Sequence, residues 1–104
     1  MDNYEVFATD TFRKVYSAID GSEKQWVDKI KGNLKENPTG KIIQFQWFRE
    51  KRFHSKRLFY LIDEVNKRIL FVGFATKKEQ QKIIDFVVKN HKELFELLKN
   101  LKTY

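Results

Sequence analysis

Between Trp47 and Arg57 the chain reads W-F-R-E-K-R-F-H-S-K-R, and its chemistry is concentrated there. Five cations (Arg49, Lys51, Arg52, Lys56, Arg57) accompany one carboxylate, Glu50, and one histidine, His54. A guanidinium is a planar fork of donors that fits an oxyanion. It can also stabilise charge that develops on a phosphate during attack. Arg57, between a turn and an apolar strand, suits both tasks; an exposed strand-end arginine is the plainer reading. Arg49 and Lys51 share a parity and should project from one face of a strand. Arg52 has the opposite parity and is expected at the periphery with Lys56. His54 is of the one residue type that titrates near neutrality, so a general base is one role for it and a polar turn residue the other. Glu50 could act as a base too, but an ion pair along the strand is the expected role. Lys77 and Lys78 follow Thr76 in what reads as the first turn of a helix. The helix dipole disfavours cations there, whereas a phosphate bound at that end would select them. Phe48 and Phe53 flank the cations and could stack on bases or pack in the core.

Two aromatic-rich, strand-like segments hold this stretch in place, Ile42–Phe48 and Leu58–Ile62. Tyr4–Ala8 reads as a first strand. Asp10 or Thr11 can cap a helix whose apolar face is Phe12, Val15, Tyr16 and Ile19. Gly21 closes it, and Ser22 with Gln25 can form a capping box for a second helix. Trp26, Val27, Ile30 and Leu34 are its apolar face. Asn37-Pro38-Thr39-Gly40 is a turn. Three strands follow, over about Lys41–Phe53, Arg57–Glu64 and Ile69–Ala75, the last two as an antiparallel hairpin. Their continuous apolar runs predict strands covered on both faces. Gly73 marks a bulge or a close approach. Thr76-Lys77-Lys78-Glu79 has the form of a capping box, and helix continues to Leu101 with a possible break at Asn90. The predicted class is α+β, in the order β-α-α-β-β-β-α.

The chain has 104 residues, which predicts one domain over 1–104 with a C-terminal helical extension over about 77–101. It is 41% hydrophobic and 34% charged with one proline, so it should fold. A net charge of +7 predicts an anionic partner: RNA, DNA, an anionic membrane or an acidic protein segment. There are no cysteines, which excludes disulfides, thiol catalysis and Cys-based zinc sites. No metal site, glycine-rich phosphate loop or nucleophile elbow is visible, and no cofactor is expected. No apolar run approaches the roughly 18 residues of a spanning helix, and no signal peptide is visible. A soluble cytoplasmic protein is expected.

The order of elements resembles the RelE/ParE superfamily of bacterial and archaeal toxins. Three pieces carry the likeness, which covers about Tyr4 to Ile84. They are Leu34-Lys35-Glu36-Asn37-Pro38 with Gly40-Lys41, Lys56-Arg57-Leu58-Phe59-Tyr60-Leu61-Ile62-Asp63, and Phe71-Val72-Gly73-Phe74-Ala75-Thr76-Lys77-Lys78-Glu79. The resemblance implies a curved antiparallel sheet packed by an N-terminal helical hairpin, with a C-terminal helix beside it. It implies an mRNA interferase that cuts messenger RNA, usually on the ribosome. The cut would need no metal and would use the RNA's own 2′-hydroxyl. An acidic antitoxin would neutralise it. Relatives of ParE type instead inhibit DNA gyrase, so a non-catalytic binding protein on this fold is the alternative. Arg57 matches the family's central-strand arginine, Arg49 and Lys51 its preceding basic pair, and Lys77 or Lys78 the basic residue after the last strand. Several members carry a tyrosine or histidine for proton transfer near the position of Ile84. This chain is apolar there.

Overall fold

The computed structural model describes residues 3–101. The apolar runs form a five-stranded sheet in the order β1-β5-β4-β3-β2. β1 is Glu5–Ala8, β2 Lys41–Ile43, β3 Phe45–Phe53, β4 Lys56–Asp63 and β5 Arg68–Thr76. α1 (Asp10–Ala18) and α2 (Gly21–Glu36) lie between β1 and β2, and α3 (Gln80–Asn100) follows β5. The α+β class and the succession of helices and strands are those expected, with two additions. β1 joins the edge of β5 in parallel, so the sheet is mixed. The long strand expected from Lys41 to Phe53 folds back on itself. Gln44 takes a left-handed φ of 64°, and β2 then pairs antiparallel with β3.

β4 and β5 are buried on both faces, which is why they read as unbroken apolar runs. Leu58, Tyr60, Ile62, Ile69 and Phe71 point to one side, where Phe12 of α1 and Val27, Ile30 and Leu34 of α2 cover them. Phe59, Leu61, Leu70 and Val72 point to the other, under Val87, Leu94 and Leu98 of α3. The register shifts between Phe59 and Tyr60, which leaves Val72 as an extra residue beside Gly73. Gly73 also allows a close approach, since a Cβ there would stand 2.8 Å from Ile83 Cδ1. Gly40 has a φ of 146°, and a Cβ there would collide with the Tyr60 hydroxyl.

The helix ends differ from the expected ones in register. Thr9, not Asp10 or Thr11, caps α1: its Oγ1 accepts from Phe12 N at 3.0 Å. Asp20 caps α2 in a reciprocal box with Glu23, so Gly21 is the first helical residue and not a terminator. Ser22 only donates to the Asp20 carboxylate, at 2.7 Å. An Asp-x-x-Glu box two residues earlier has the same geometry and a charged acceptor, so it displaces the Ser-x-x-Gln one. The box expected at Thr76 does not form. Thr76 makes no cap to the backbone, its hydroxyl meets Glu79 Oε1 at 3.1 Å, and Lys77–Glu79 is a 3₁₀ turn before α3. The break at Asn90 is present, with φ −112° and ψ 17° and a bond from its Nδ2 to the Phe86 carbonyl at 2.9 Å.

Candidate nucleic-acid interface

Strand register decides which cations can meet. The loop from β3 to β4 is only His54 and Ser55, because Phe53 pairs with Lys56. His54 takes a φ of 54°, a conformation histidine tolerates better than most residues. Counting back, Arg52 stands opposite Arg57, Lys51 opposite Leu58, Glu50 opposite Phe59 and Arg49 opposite Tyr60. Directly opposed residues share a face. Arg49 and Lys51 therefore share the face of Leu58 and Tyr60, under the α1–α2 pair. Glu50, Arg52 and Arg57 share the face of Phe59, on the α3 side.

Arg49, Lys51 and Arg57 thus do not converge on one phosphate as the sequence suggested. The parity of Arg49 with Lys51 was right, but the two-residue loop puts Arg57 with the even-numbered residues of β3. Arg49 is also engaged. Its Nε donates to the Gln46 carbonyl at 2.6 Å and its Nη1 to the Gly40 carbonyl at 3.1 Å, so it braces the turn into the sheet. Lys51 is half-buried on the same face.

Arg57 is not a loose strand-end arginine. It is 9% exposed, and its Nε lies 3.5 Å from Oε2 of Glu50, itself 8% exposed. Two like charges opposed across a ladder repel. Glu50 beside Arg52 and Arg57 offsets that repulsion. The expected ion pair of Glu50 therefore runs across strands. Arg52 is exposed at the margin.

Lys56 faces the hairpin side, 2.7 Å from Glu23 and over the Phe74 ring. His54 is exposed and edge-on to Phe53, 4.4 Å between centroids. Phe53 stacks on Trp26 at 5.0 Å and Phe48 is fully buried, so both belong to the core and neither is a free platform for a base. Lys77 and Lys78 are exposed just past Ala75, the β5 partner of Arg57. Arg52, Arg57, Lys77 and Lys78 thus gather at one end of the sheet with Glu50 inside them. Among the described residues no group of three or more His, Asp or Glu side chains could hold a metal ion, and no helix is long and apolar enough to cross a membrane.

Sequence reading missed an aromatic stack at the other end of β3. Trp47 lies parallel to Phe45 at 4.9 Å and stacks on His91 at 5.4 Å. His91 is half-buried there, with Nδ1 2.8 Å from the Val88 carbonyl. A separate cavity of about 330 Å³ is lined by Val6, Phe12, Arg13, Tyr16, Asp28 and Lys31 among others, none of them a residue of the β3–β4 hairpin.

The sequence matches no protein-family model and no curated protein. The fold does match solved structures. A free arginine double mutant of the Escherichia coli toxin RelE superposes with a TM-score of 0.73 at 14% identity, over 85% of this chain and 97% of that one. The Mycobacterium tuberculosis RelBE2 toxin–antitoxin complex gives a TM-score of 0.63 at 22% identity, over 74% and 94%. The archaeal RelE–RelB complex from Pyrococcus horikoshii gives 0.63 at 12%, over 72% and 96%. The chain has a RelE-like toxin fold.

Proposed function

We propose that this protein is a RelE-like toxin of the cytoplasm, a single domain that cuts messenger RNA and is held inactive by an acidic antitoxin. The observation that carries the reading is the buried Arg57 at the cationic end of a RelE-like sheet. Several matching structures are complexes with RelB antitoxins, which supports a protein partner of that kind.

In the proposed reaction the ribose 2′-oxygen forms a bond to phosphorus and the bond from phosphorus to the 5′-oxygen breaks. The products are a 2′,3′-cyclic phosphate and a 5′-hydroxyl. Arg57 holds the phosphate and gains strength as charge builds on its oxygens. Arg52, Lys77 and Lys78 draw the strand in. The ribosome would present the message. Arg49 and Lys51 act from the opposite face, as brace and outer charge, and His54 sits at the turn.

Primer extension on a translated message tests this with wild type, Arg57→Ala and Arg57→Lys, with EDTA present. Wild type should yield new 5′ ends. Arg57→Ala should lose about 100- to 1,000-fold in rate, as when a single oxyanion donor is removed. Lysine should restore part of it, since it keeps the charge and lacks the fork. If wild type gives no new ends with or without ribosomes, the nuclease reading fails. The second reading, a non-catalytic binding protein such as a gyrase inhibitor or an inactive RNA-binding descendant, is favoured by Ile84 standing where the family's proton-transfer residue is expected.

A further inference from the structure

We propose that Glu50 is the general base of this cleavage, the group that takes the proton from the attacking 2′-hydroxyl. The proposal rests on the nuclease reading and supplies the proton acceptor that reading lacks.

A carboxylate is rarely so buried unless it is paired and hydrogen-bonded. Glu50 is paired only in part. Its Oε2 lies 3.5 Å from Arg57 Nε, sealed from solvent and without a hydrogen-bond partner. Among the described residues one other buried side-chain oxygen is in that condition, Oε1 of Gln80, at the start of the helix that covers the same side of the sheet. An open acceptor beside a fixed cation calls for a ligand that brings a donor. A phosphate diester has none. A ribose 2′-hydroxyl has one, and it lies next to the phosphate that Arg57 would hold.

The stereochemistry fits that division. The attacking oxygen and the phosphorus are about 3 Å apart in a reactive conformer, so the groups that bind them must be neighbours. Glu50 and Arg57 are neighbours on one face, from two adjacent strands. A guanidinium has five N–H donors. With Nε turned to Glu50, the terminal nitrogens are left for phosphate oxygens. The other candidates stand worse. Arg52 does not give up its proton, Lys51 is on the opposite face, and His54 packs on Phe53, which also faces away.

In the step, Glu50 takes the 2′-hydroxyl proton as the oxygen bonds to phosphorus. The electron pair of the breaking bond stays on the 5′-oxygen, which takes a proton from water. Glu50 then gives that proton to water through the tenth of its side chain that stays exposed, once the product has left.

The test is single-turnover cleavage by the whole protein, on ribosomes, of a message whose cut site wild type has defined. Binding is read on the same RNA with a 2′-O-methyl group at the cut nucleotide. Glu50→Gln should cleave about 100- to 10,000-fold more slowly. It should bind the blocked RNA at least as well as wild type, since a negative charge beside the phosphate is gone. If Glu50→Gln cleaves within threefold of wild type, or faster, Glu50 is not the base and the nuclease reading stands without it. If wild type does not cleave, both fail. Should Glu50→Gln not fold, Glu50→Asp keeps the charge for Arg57 and draws the carboxylate back by one methylene. Its rate should fall at unchanged binding, and a full rate overturns the proposal.

Discussion

The hydroxyl of Tyr60 donates to the backbone carbonyl of Thr39. Tyr60 is fully buried in the central strand, and Thr39 lies in the turn after α2. The bond crosses the top of the helical face and anchors the turn that delivers β2 to the sheet edge. Gly40 makes room for it, because any side chain there would strike the phenol.

Burial pushes the Tyr60 phenol above its ordinary value of 10. A phenol raised in this way keeps its proton in the folded chain at a pH where the unfolded chain loses it. Stability is therefore full below about pH 10 and falls above it, by up to ~1.4 kcal/mol per pH unit for one proton. Urea melts at about pH 8 and about pH 11 should show this fall in wild type and a smaller one in Tyr60→Phe. At neutral pH the same variant should be less stable by about 1 kcal/mol, the usual worth of one hydrogen bond.

The caps give a second test. Thr76→Ala removes only a side-chain contact to Glu79, so stability should change by no more than about 0.5 kcal/mol. Asp20→Ala removes the carboxylate that accepts from the Glu23 N–H and the Ser22 hydroxyl, leaves the backbone half of the box to Glu23, and should lower the melting temperature further. Hydrogen bonds from the Glu23 N–H and the Ser22 hydroxyl hold the Asp20 carboxyl below its usual range. Its contribution is thus present above about pH 4 and lost as the pH falls through the folded-state value. The gap between the two variants should close in acid, which thermal melts would reveal.

Arg68 ties the far end of α3 to the sheet. Its Nη1 donates to the carbonyls of Leu98 at 2.7 Å and Lys99 at 3.0 Å. Last-turn carbonyls lack helical partners, so a cation there both fills and neutralises them. Arg68→Ala should cost about 1–2 kcal/mol. Hydrogen exchange should quicken in the half of α3 after Asn90, where the helix is already interrupted. Equal loss of protection on both sides of Asn90 would mean that the helix docks as one rod.

The cations at the end of the sheet and the brace on β3 should respond differently to salt. Lys77→Ala with Lys78→Ala should flatten the slope of log RNA affinity against log salt by about 0.7 per lost contact on a single strand. Arg49→Ala should leave the slope nearly unchanged and lower the melting temperature, because its donors are engaged with backbone carbonyls. Filter binding across a salt series checks both.

Much of this was legible in the sequence, and the rest was hidden for identifiable reasons. Leu58–Ile62 and Ile69–Val72 read as strands covered on both faces because no polar residue interrupts them. The break at Asn90 and the close approach at Gly73 were legible from residue type alone. The bend at Gln44 was not, because glutamine carries no turn signature and the left-handed φ there is imposed by the pairing of β2. The grouping of Arg57 with Glu50 had a signal that parity alone does not use. Taken as a two-residue hairpin loop, His54-Ser55 places Arg57 opposite Arg52. The burial of Glu50 had none, since a carboxylate among cations looks solvated until its strand has neighbours.

The alternation along β3 has an evolutionary consequence. One side of the strand, with Arg49, maintains the scaffold; the other, where Glu50 meets Arg57 of β4, would carry the reaction. The sheet lies between them, and substitutions on the two sides should combine almost additively. A lineage could then exchange the reactive pair and keep the brace. That is a route by which a nuclease turns into a binding protein without ever passing through a chain that fails to fold.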